Sequence, residues 1–313
     1  ITCDSKTGAL QKNVEDNAFY QQLRAYVNLG AGPEILDARN MTFVDQAAEA
    51  IVLLIGRPGL LNRVFHIQNP VLLKLSKALE DPRLGLRFDA KQFDDFISHI
   101  AVHAGHPGFS EYIERLLMHS GWQDWLQKPE QTITDIRADK TAKTLGRLGF
   151  TWKTPDPSDL ILFVRKALSD RIRRLKDLPC FAGFDDDRLL ALAGKVLPGH
   201  FGSEDHLQTE GREIKALHFV MEGIVETYRQ NRNGWIGTVR VGGKGACTGE
   251  EVLGLNTKSQ AGSTVEAVDP VFAYTVSAQD MKKIAFNDPE FAFALLGIIA
   301  AKADQAERLF VAV

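Results

Sequence analysis

Residues 200–268 read HFGSEDHLQTEGREIKALHFVMEGIVETYRQNRNGWIGTVRVGGKGACTGEEVLGLNTKSQAGSTVEAV. This stretch and its continuation to residue 276 are rich in Val, Thr, Phe and Gly. Gly211, Gly223, Asn233-Gly234 and Gly242-Gly243 break it at the spacing of short strands joined by tight turns. That pattern predicts an antiparallel barrel or roll, in which strands close on one another rather than leaving long open edges.

On either side of the roll the periodicity changes to helical. A helix is expected over Asp187–Leu197, and two close the chain, Ala278–Ala285 and Pro289–Val313. Asn287-Asp288-Pro289 is a start signal for the last of these. Towards the N-terminus, Asp16–Leu29 places Phe19, Leu23, Tyr26 and Val27 on one helical face. Val44–Gly56 reads as a mostly apolar buried helix capped by Thr42 or Asp45. Asn62–Gln68 reads as a short strand closed by Asn69-Pro70, and Val71–Glu80 as helix. Asp89–His103, Phe109–Leu126 and Thr132–Leu148 complete the helical set. The clearest break is TPDPSD, Thr154–Asp159, where two prolines stop one element and Ser158 or Asp159 caps the next helix, Leu160–Lys176. The basic end of that helix, RIRRLK, reads as a solvated face with favourable charge at a helix C-terminus.

Composition narrows the function classes. The 313 residues are 44% hydrophobic and 25% charged, an ordinary globular balance large enough for two domains. A formal net charge of −3 argues against a general nucleic-acid binder. Cys3, Cys180 and Cys247 are odd in number and far apart, which predicts free thiols in a reducing, cytoplasmic setting and neither a disulfide framework nor a metal site. The longest apolar runs, Ala50–Ile55 and Phe293–Ala301, are too short to span a bilayer. No signal-peptide pattern opens the chain, and its start at Ile1 points to a fragment or an excised piece. His99, His103 and His106 lie close together without the carboxylate or cysteine that would complete a zinc set, so they read as a packed histidine cluster. Ser110, Ser120 and Ser169 lie in no nucleophile elbow. Trp122, Trp125 and Trp152 read as packing aromatics.

From LPCFAGFDDDRLLALA onward, the sequence resembles cyclic nucleotide-binding domains of the catabolite activator type. The resemblance rests on Leu207–Gly211, on Leu217-His218-Phe219-Val220 with Gly223 and Val225, and on Lys244-Gly245 followed by Gly249-Glu250 and Leu253. Thr264–Val268 and the closing helices complete it. It implies a phosphate-binding cassette with Gly249, Glu250, Lys258, Gly262 and Ser263 as pocket residues and cAMP or cGMP as ligand. Backbone N–H groups at a short helix start suit a cyclic phosphate, and a carboxylate such as Glu250 accepts from a ribose hydroxyl. The family's phosphate-binding arginine falls at Ala261, beside Gln260, and neither carries charge. Loss of a charge-assisted hydrogen bond costs about 1.5–3 kcal/mol, which predicts binding weakened by roughly 10- to 100-fold. Lys258 is a nearby point charge without the planar fork of arginine. The apolar face of the last helix, with Phe291, Leu295, Ile298, Ile299, Ala306, Leu309 and Phe310, predicts a homodimer through residues 289–313.

The N-terminal part resembles a different family. ITCDSKTGA at the start, Asp16–Gly30, and MTFVDQAAEAI (Met41–Ile51) follow the order found near the end of thioester reductases of the extended short-chain dehydrogenase type, as at the end of nonribosomal peptide and polyketide synthetases. NRVFHIQNP (Asn62–Pro70) and KTAKTLGRLGFTW (Lys140–Trp152) extend the likeness. The resemblance implies a parent enzyme that uses NADPH to reduce a carrier-protein-bound acyl thioester to an aldehyde or alcohol. This chain has no glycine-rich dinucleotide turn, and none of Tyr20, Tyr26, Tyr112, Tyr228 and Tyr274 has a lysine four positions on. No catalytic residue is therefore assigned, and Asp45 reads as a helix cap.

The sequence thus predicts an α+β multidomain chain. Residues 1–153 are expected as a largely helical, Rossmann-type reductase substrate lobe, 154–177 as a linker helix, and 178–313 as an antiparallel β-roll with flanking helices. The functional expectation is a reductase fragment fused to a regulatory domain and not catalytic by itself. The alternative is a regulatory or interaction module that binds a cyclic nucleotide or dimerises. Neither expectation includes nucleic-acid or membrane binding.

Overall fold

The computed structural model describes residues 2–34, 38–119, 138–230, 236–253, 260–297 and 299–300. The chain divides into two compact units, Ile1–Ala167 and Leu168–Val313, and the division falls inside the helix Ile161–Lys176.

In the first unit, Asn17 opens the helix Ala18–Leu29 by accepting from the backbone N–H groups of Phe19 and Tyr20, at 2.9 and 3.3 Å. Gly30 ends it with φ 72°, a left-handed position suited to glycine. The strands are short: β1 (Ala31–Pro33), β2 (Ala38–Asn40), β3 (Leu72–Lys74) and β4 (Asp89–Lys91). β1 pairs in parallel with β4, and β2 antiparallel with β3.

Several local expectations change here. The helix Val44–Ile55 is buried only along Ala47, Ala50 and Leu54, while Val52 and Ile55 are 72% and 74% exposed. One stripe faces a cluster of Leu145 and Phe150, and apolar content alone does not say how many sides are covered. Asp45 does not cap this helix. Phe43 holds the N-cap position without a side-chain bond, and Asp45 instead accepts from Ser5 N–H at 2.8 Å and Ser5 Oγ at 2.5 Å. Asn62–Gln68 forms no strand: Phe65 and Ile67 pack on the Leu145 cluster, and the N–H of His66 donates to Thr141 Oγ1 at 3.1 Å. The segment expected as one helix over Val71–Glu80 is strand β3 followed by the helix Leu75–Leu79. At TPDPSD the capping residue is Asp156, which accepts from Ser158 N–H, while Asp159 reaches back to the N–H of Asp156. Helices are present at Phe93–Ala104, Pro107–His119 and Asp139–Arg147. The rest of the expected spans Phe109–Leu126 and Thr132–Leu148, with Trp122 and Trp125, lies outside the described residues. Trp152 packs edge-on against Phe150, with ring centroids 4.8 Å apart.

The second unit contains the roll. Its strands are β5 (Leu197–Phe201), β6 (His206–Gln208), β7 (Ala216–Glu222), β8 (Val225–Gln230), β9 (Ile236–Gly242), β10 (Cys247–Thr248), β11 (Thr264–Ala267) and β12 (Val271–Ser277). They form two four-stranded sheets, ordered β10-β7-β12-β5 and β6-β11-β8-β9, with every pairing antiparallel. Leu207, Val220, Val225, Val265, Val271 and Ala273 fill the space between them. Strand alternation supplies this core, because every second residue of each strand points inward.

Helices cover the other face of β7. Phe181 stacks on Phe291 at 5.5 Å and meets Phe219 edge-on at 5.3 Å. Phe291 and Leu295 are thus buried within the unit, whereas Phe293 and Leu296 on the same helix are exposed. Phe291 and Leu295 are therefore not free to form the dimer face expected of them, and Ile298 and residues 301–313 lie outside the described residues. The basic run RIRRLK is not uniformly solvated either. Arg171 is fully buried and donates from Nη1 to the carbonyls of Ala193 and Val196, at 3.0 and 2.8 Å, at the C-terminal end of the helix Asp186–Lys195. The helix dipole places partial negative charge there, so a buried guanidinium is compensated.

Candidate ligand-binding site

β10 pairs Cys247 with Phe219 and Thr248 with His218, then hands the chain to Gly249. Gly249 has φ 84°, and a β-carbon built on it would lie 2.3 Å from the carbonyl oxygen of Ala216. Only glycine fits so close to that backbone. The tight passage leads straight into a 3-10 turn, Glu250–Leu253, with Val252 buried and its N–H donating to the Gly249 carbonyl at 3.2 Å.

Gln208 of β6 ties the two ends of the segment together. Its Oε1 accepts from Thr248 Oγ1 at 2.9 Å, and its Nε2 donates to Glu251 Oε1 at 3.1 Å and to the Ser263 carbonyl at 3.3 Å. On the return side, Ala261 donates its N–H to the Arg212 carbonyl at 2.9 Å and accepts from Gly211 N–H at 2.8 Å. Gly249 and Glu250 therefore lead the segment in, and Ala261, Gly262 and Ser263 lead it out beside them. Lys258 lies outside the described residues.

Two spaces border this segment. An inner cavity of about 10 Å³, roughly one water in size, is lined by Val220, Val225, Thr227, Arg240, Thr248 and Val265. A crevice of about 310 Å³ opens where Gln208, Arg212, Ile214, Lys215, His218 and Ala261 meet, in the size range of small-molecule sites. Burial pushes the imidazole of His218 down to about 4, so it is neutral at pH 7. Its Nδ1 lies 2.9 Å from Thr275 Oγ1, and Phe201 meets the ring edge-on at 5.5 Å.

Sequence reasoning missed the cations of the opposite wall. Val225 of β8 is in the core and Thr227 lines the inner cavity, so Arg229 follows on the same face. A β-carbon on Gly262 would lie 3.3 Å from Arg229 Nη2. Arg240 pairs across from Thr227 and lines the inner cavity. Among the described residues neither guanidinium has an ion-pair or hydrogen-bond partner. The signal that finds Arg229 is the two-residue period counted on from Val225, whereas Arg240 is placed by its pairing with Thr227 across the strands.

Elsewhere the chemistry is quiet. Burial pushes the Cys3 and Cys180 thiols up to about 11, which keeps them protonated and poorly nucleophilic. His99 and His103 meet edge-on at 4.5 Å, and the Nε2 of His99 lies 2.9 Å from the Leu29 carbonyl. Among the described residues there is no metal-ligating cluster, and no helix long and apolar enough to cross a membrane.

An antiparallel roll with a glycine-locked turn and a short 3-10 helix between two of its strands defines the fold class: a β-roll with flanking helices. Residues 198–288 match the family model of the cyclic nucleotide-binding domain, so the second unit carries such a domain. A curated relative, cyclic nucleotide-gated ion channel 11 of Arabidopsis thaliana, is 27% identical over 173 residues, which is 52% of this chain and 28% of that protein. The chain thus spans little more than a quarter of that relative's length. Among solved structures, a cyclic nucleotide-binding domain from Methylobacillus flagellatus is 18% identical with a TM-score of 0.40, covering 48% of this chain and 85% of that one. The regulatory subunit of a cAMP-independent protein kinase A from Trypanosoma cruzi, bound to guanosine, is 19% identical with a TM-score of 0.41, covering 49% and 54%.

Proposed function

We propose that the second unit is a sensing domain that takes a cyclic nucleotide against the Gly249–Ser263 segment and regulates whatever it is joined to. Glu250 accepts from the ribose hydroxyl, and Gly249, Gly262 and Ser263 let the backbone approach the ligand closely. The observation that carries this reading is the Gly249 turn. Its positive φ and its contact with the Ala216 carbonyl deliver Glu250 to the start of the 3-10 turn, on a roll that matches the family model. Cys3, Cys180 and Cys247 form no disulfide among the described residues, which supports a reducing, cytoplasmic setting.

A ligand that binds only the folded state raises the unfolding midpoint. Millimolar cAMP or cGMP is expected to raise it by about 2–4 °C, and Glu250→Ala is expected to remove the rise. No shift with either nucleotide overturns the sensing reading.

A second reading concerns residues 1–153: a substrate lobe of thioester reductase type, whose parent enzyme uses NADPH and a carrier-bound acyl thioester. The bonds from Ser5 to Asp45 favour it, because they join the two sequence stretches on which that resemblance rests. No glycine-rich turn in this chain fits the dinucleotide, so no step of reduction is assigned to it. The test is the coding sequence on the 5′ side of Ile1. A glycine-rich turn and a tyrosine–lysine pair there support the reading, and their absence removes it.

A further inference from the structure

We propose that Arg229 of β8 holds the anionic end of the ligand. The inference rests on the sensing reading above and adds a residue to it. The return end of the cassette carries Ala261 and Gly262, neither with a charged or hydrogen-bonding side chain. Directly over Gly262, the guanidinium of Arg229 stands where a side chain at 262 would begin, 3.3 Å from the position of its β-carbon.

Arg229 follows Val225 and Thr227 on the same face of β8 and is exposed where that face reaches the edge of the roll. Its guanidinium has no hydrogen-bond or ion-pair partner among the described residues. The return end of the cassette also offers backbone N–H groups, but that of Ala261 is already bonded to the Arg212 carbonyl. A planar fork reaching over a bare glycine suits bidentate contact with a phosphate diester or another oxyanion. Glu250 and Glu251 begin the 3-10 turn at the entry end of the cassette, whereas Arg229 lies beside Gly262 at its return end. A ligand with one anionic group and free hydroxyls, such as a cyclic nucleotide, complements that polarity. Arg240 is the second cation of the same wall, but it lines the inner cavity with Thr227 and Thr248 and not the surface of Gly262.

The test uses the full chain and three probes: cAMP, uncharged adenosine, and inorganic phosphate. Affinities for the first two are measured by calorimetry, and phosphate is read from the unfolding midpoint. The expected result is that the wild type prefers cAMP to adenosine. Arg229→Gln weakens cAMP binding about 10- to 100-fold and leaves adenosine unchanged, and Arg229→Lys recovers part of the loss. An unliganded midpoint equal to wild type shows that the variant is folded. Equal affinity of the wild type for cAMP and adenosine overturns the proposal, as does a cAMP preference kept by Arg229→Gln or lost only in Arg240→Gln. In each of those cases the sensing reading stands. If neither nucleotide binds but phosphate raises the midpoint of the wild type and not of Arg229→Gln, the anion site stands and the cyclic nucleotide reading falls. If phosphate also has no effect, both fall.

Discussion

The two units hold their chain by different means. In the roll, stability comes from ladders between adjacent strands and from a core of Val, Ala and Leu, with glycine at Gly249 and Gly223 where backbones nearly touch. In the first unit, where the ladders are only three residues long, side chains add many of the long-range links. Buried Asn69 accepts at its carbonyl from Asn40 Nδ2, donates its own N–H to Thr42 Oγ1, and donates from Nδ2 to the Lys153 carbonyl, at 2.6, 3.0 and 2.7 Å. Lys153 in turn donates to the Ser5 carbonyl at 2.8 Å and pairs with Asp159. A backbone-built unit is sensitive to steric change at a few points, and a side-chain-built unit to the loss of particular polar groups.

The sharpest way to break this comparison is Gly249→Ala. The added carbon meets the Ala216 carbonyl in a left-handed backbone position, so the roll is expected to lose about 3 kcal/mol or more, measured by urea unfolding. A change below about 1 kcal/mol would mean that the turn relaxes freely.

Acid is the next lever. An unfolded histidine titrates near 6.5, whereas His218 in the roll titrates near 4. Between those values the unfolded chain binds more protons than the folded one, so stability falls as pH falls through this window. The loss from His218 approaches about 3 kcal/mol at the lower end. His218→Gln is expected to flatten that part of the urea midpoint's pH profile, and an unchanged slope would assign the acid sensitivity elsewhere. His99 in the first unit is shifted in the same direction by burial, so its helix weakens over part of the same range.

The smallest expected effect is Asp45→Ala. It removes the bonds to the N–H and Oγ of Ser5 at a half-exposed site, a loss of about 1 kcal/mol, with the response of the roll to nucleotide unchanged. A loss as large as that of Gly249→Ala would show that the first unit depends on single polar links more than the roll depends on its tight turns.

The roll was legible because a two-residue period and turn glycines are local signals. Gly211 and Gly223 both have positive φ, as their turns require, and the strands run between them as expected. The cassette was legible in part. Gly249-Glu250 stands out in the chain, but Gln208, which ties both ends together, is an ordinary polar residue whose role depends on two distant strands meeting. The first unit was less legible. Asp45 before an apolar run reads as a cap, yet it is spent on a turn 40 residues away. Apolar residues in Asn62–Gln68 read as strand, yet side chains and not a ladder fix that segment. The basic run read as solvated contains Arg171, buried against a helix end that the sequence does not announce.

The sequence by itself determined where strands and turns alternate, where Gly249-Glu250 stands, and that Ala261 carries no charge, because each is written in neighbouring residues. The tertiary structure alone decided which distant strands and loops meet. That choice sets Arg229 over Gly262 and buries Phe291 under Phe181. The physical reason is range: propensity and periodicity act over a few residues, whereas a site forms only where segments far apart in the chain pack within van der Waals contact.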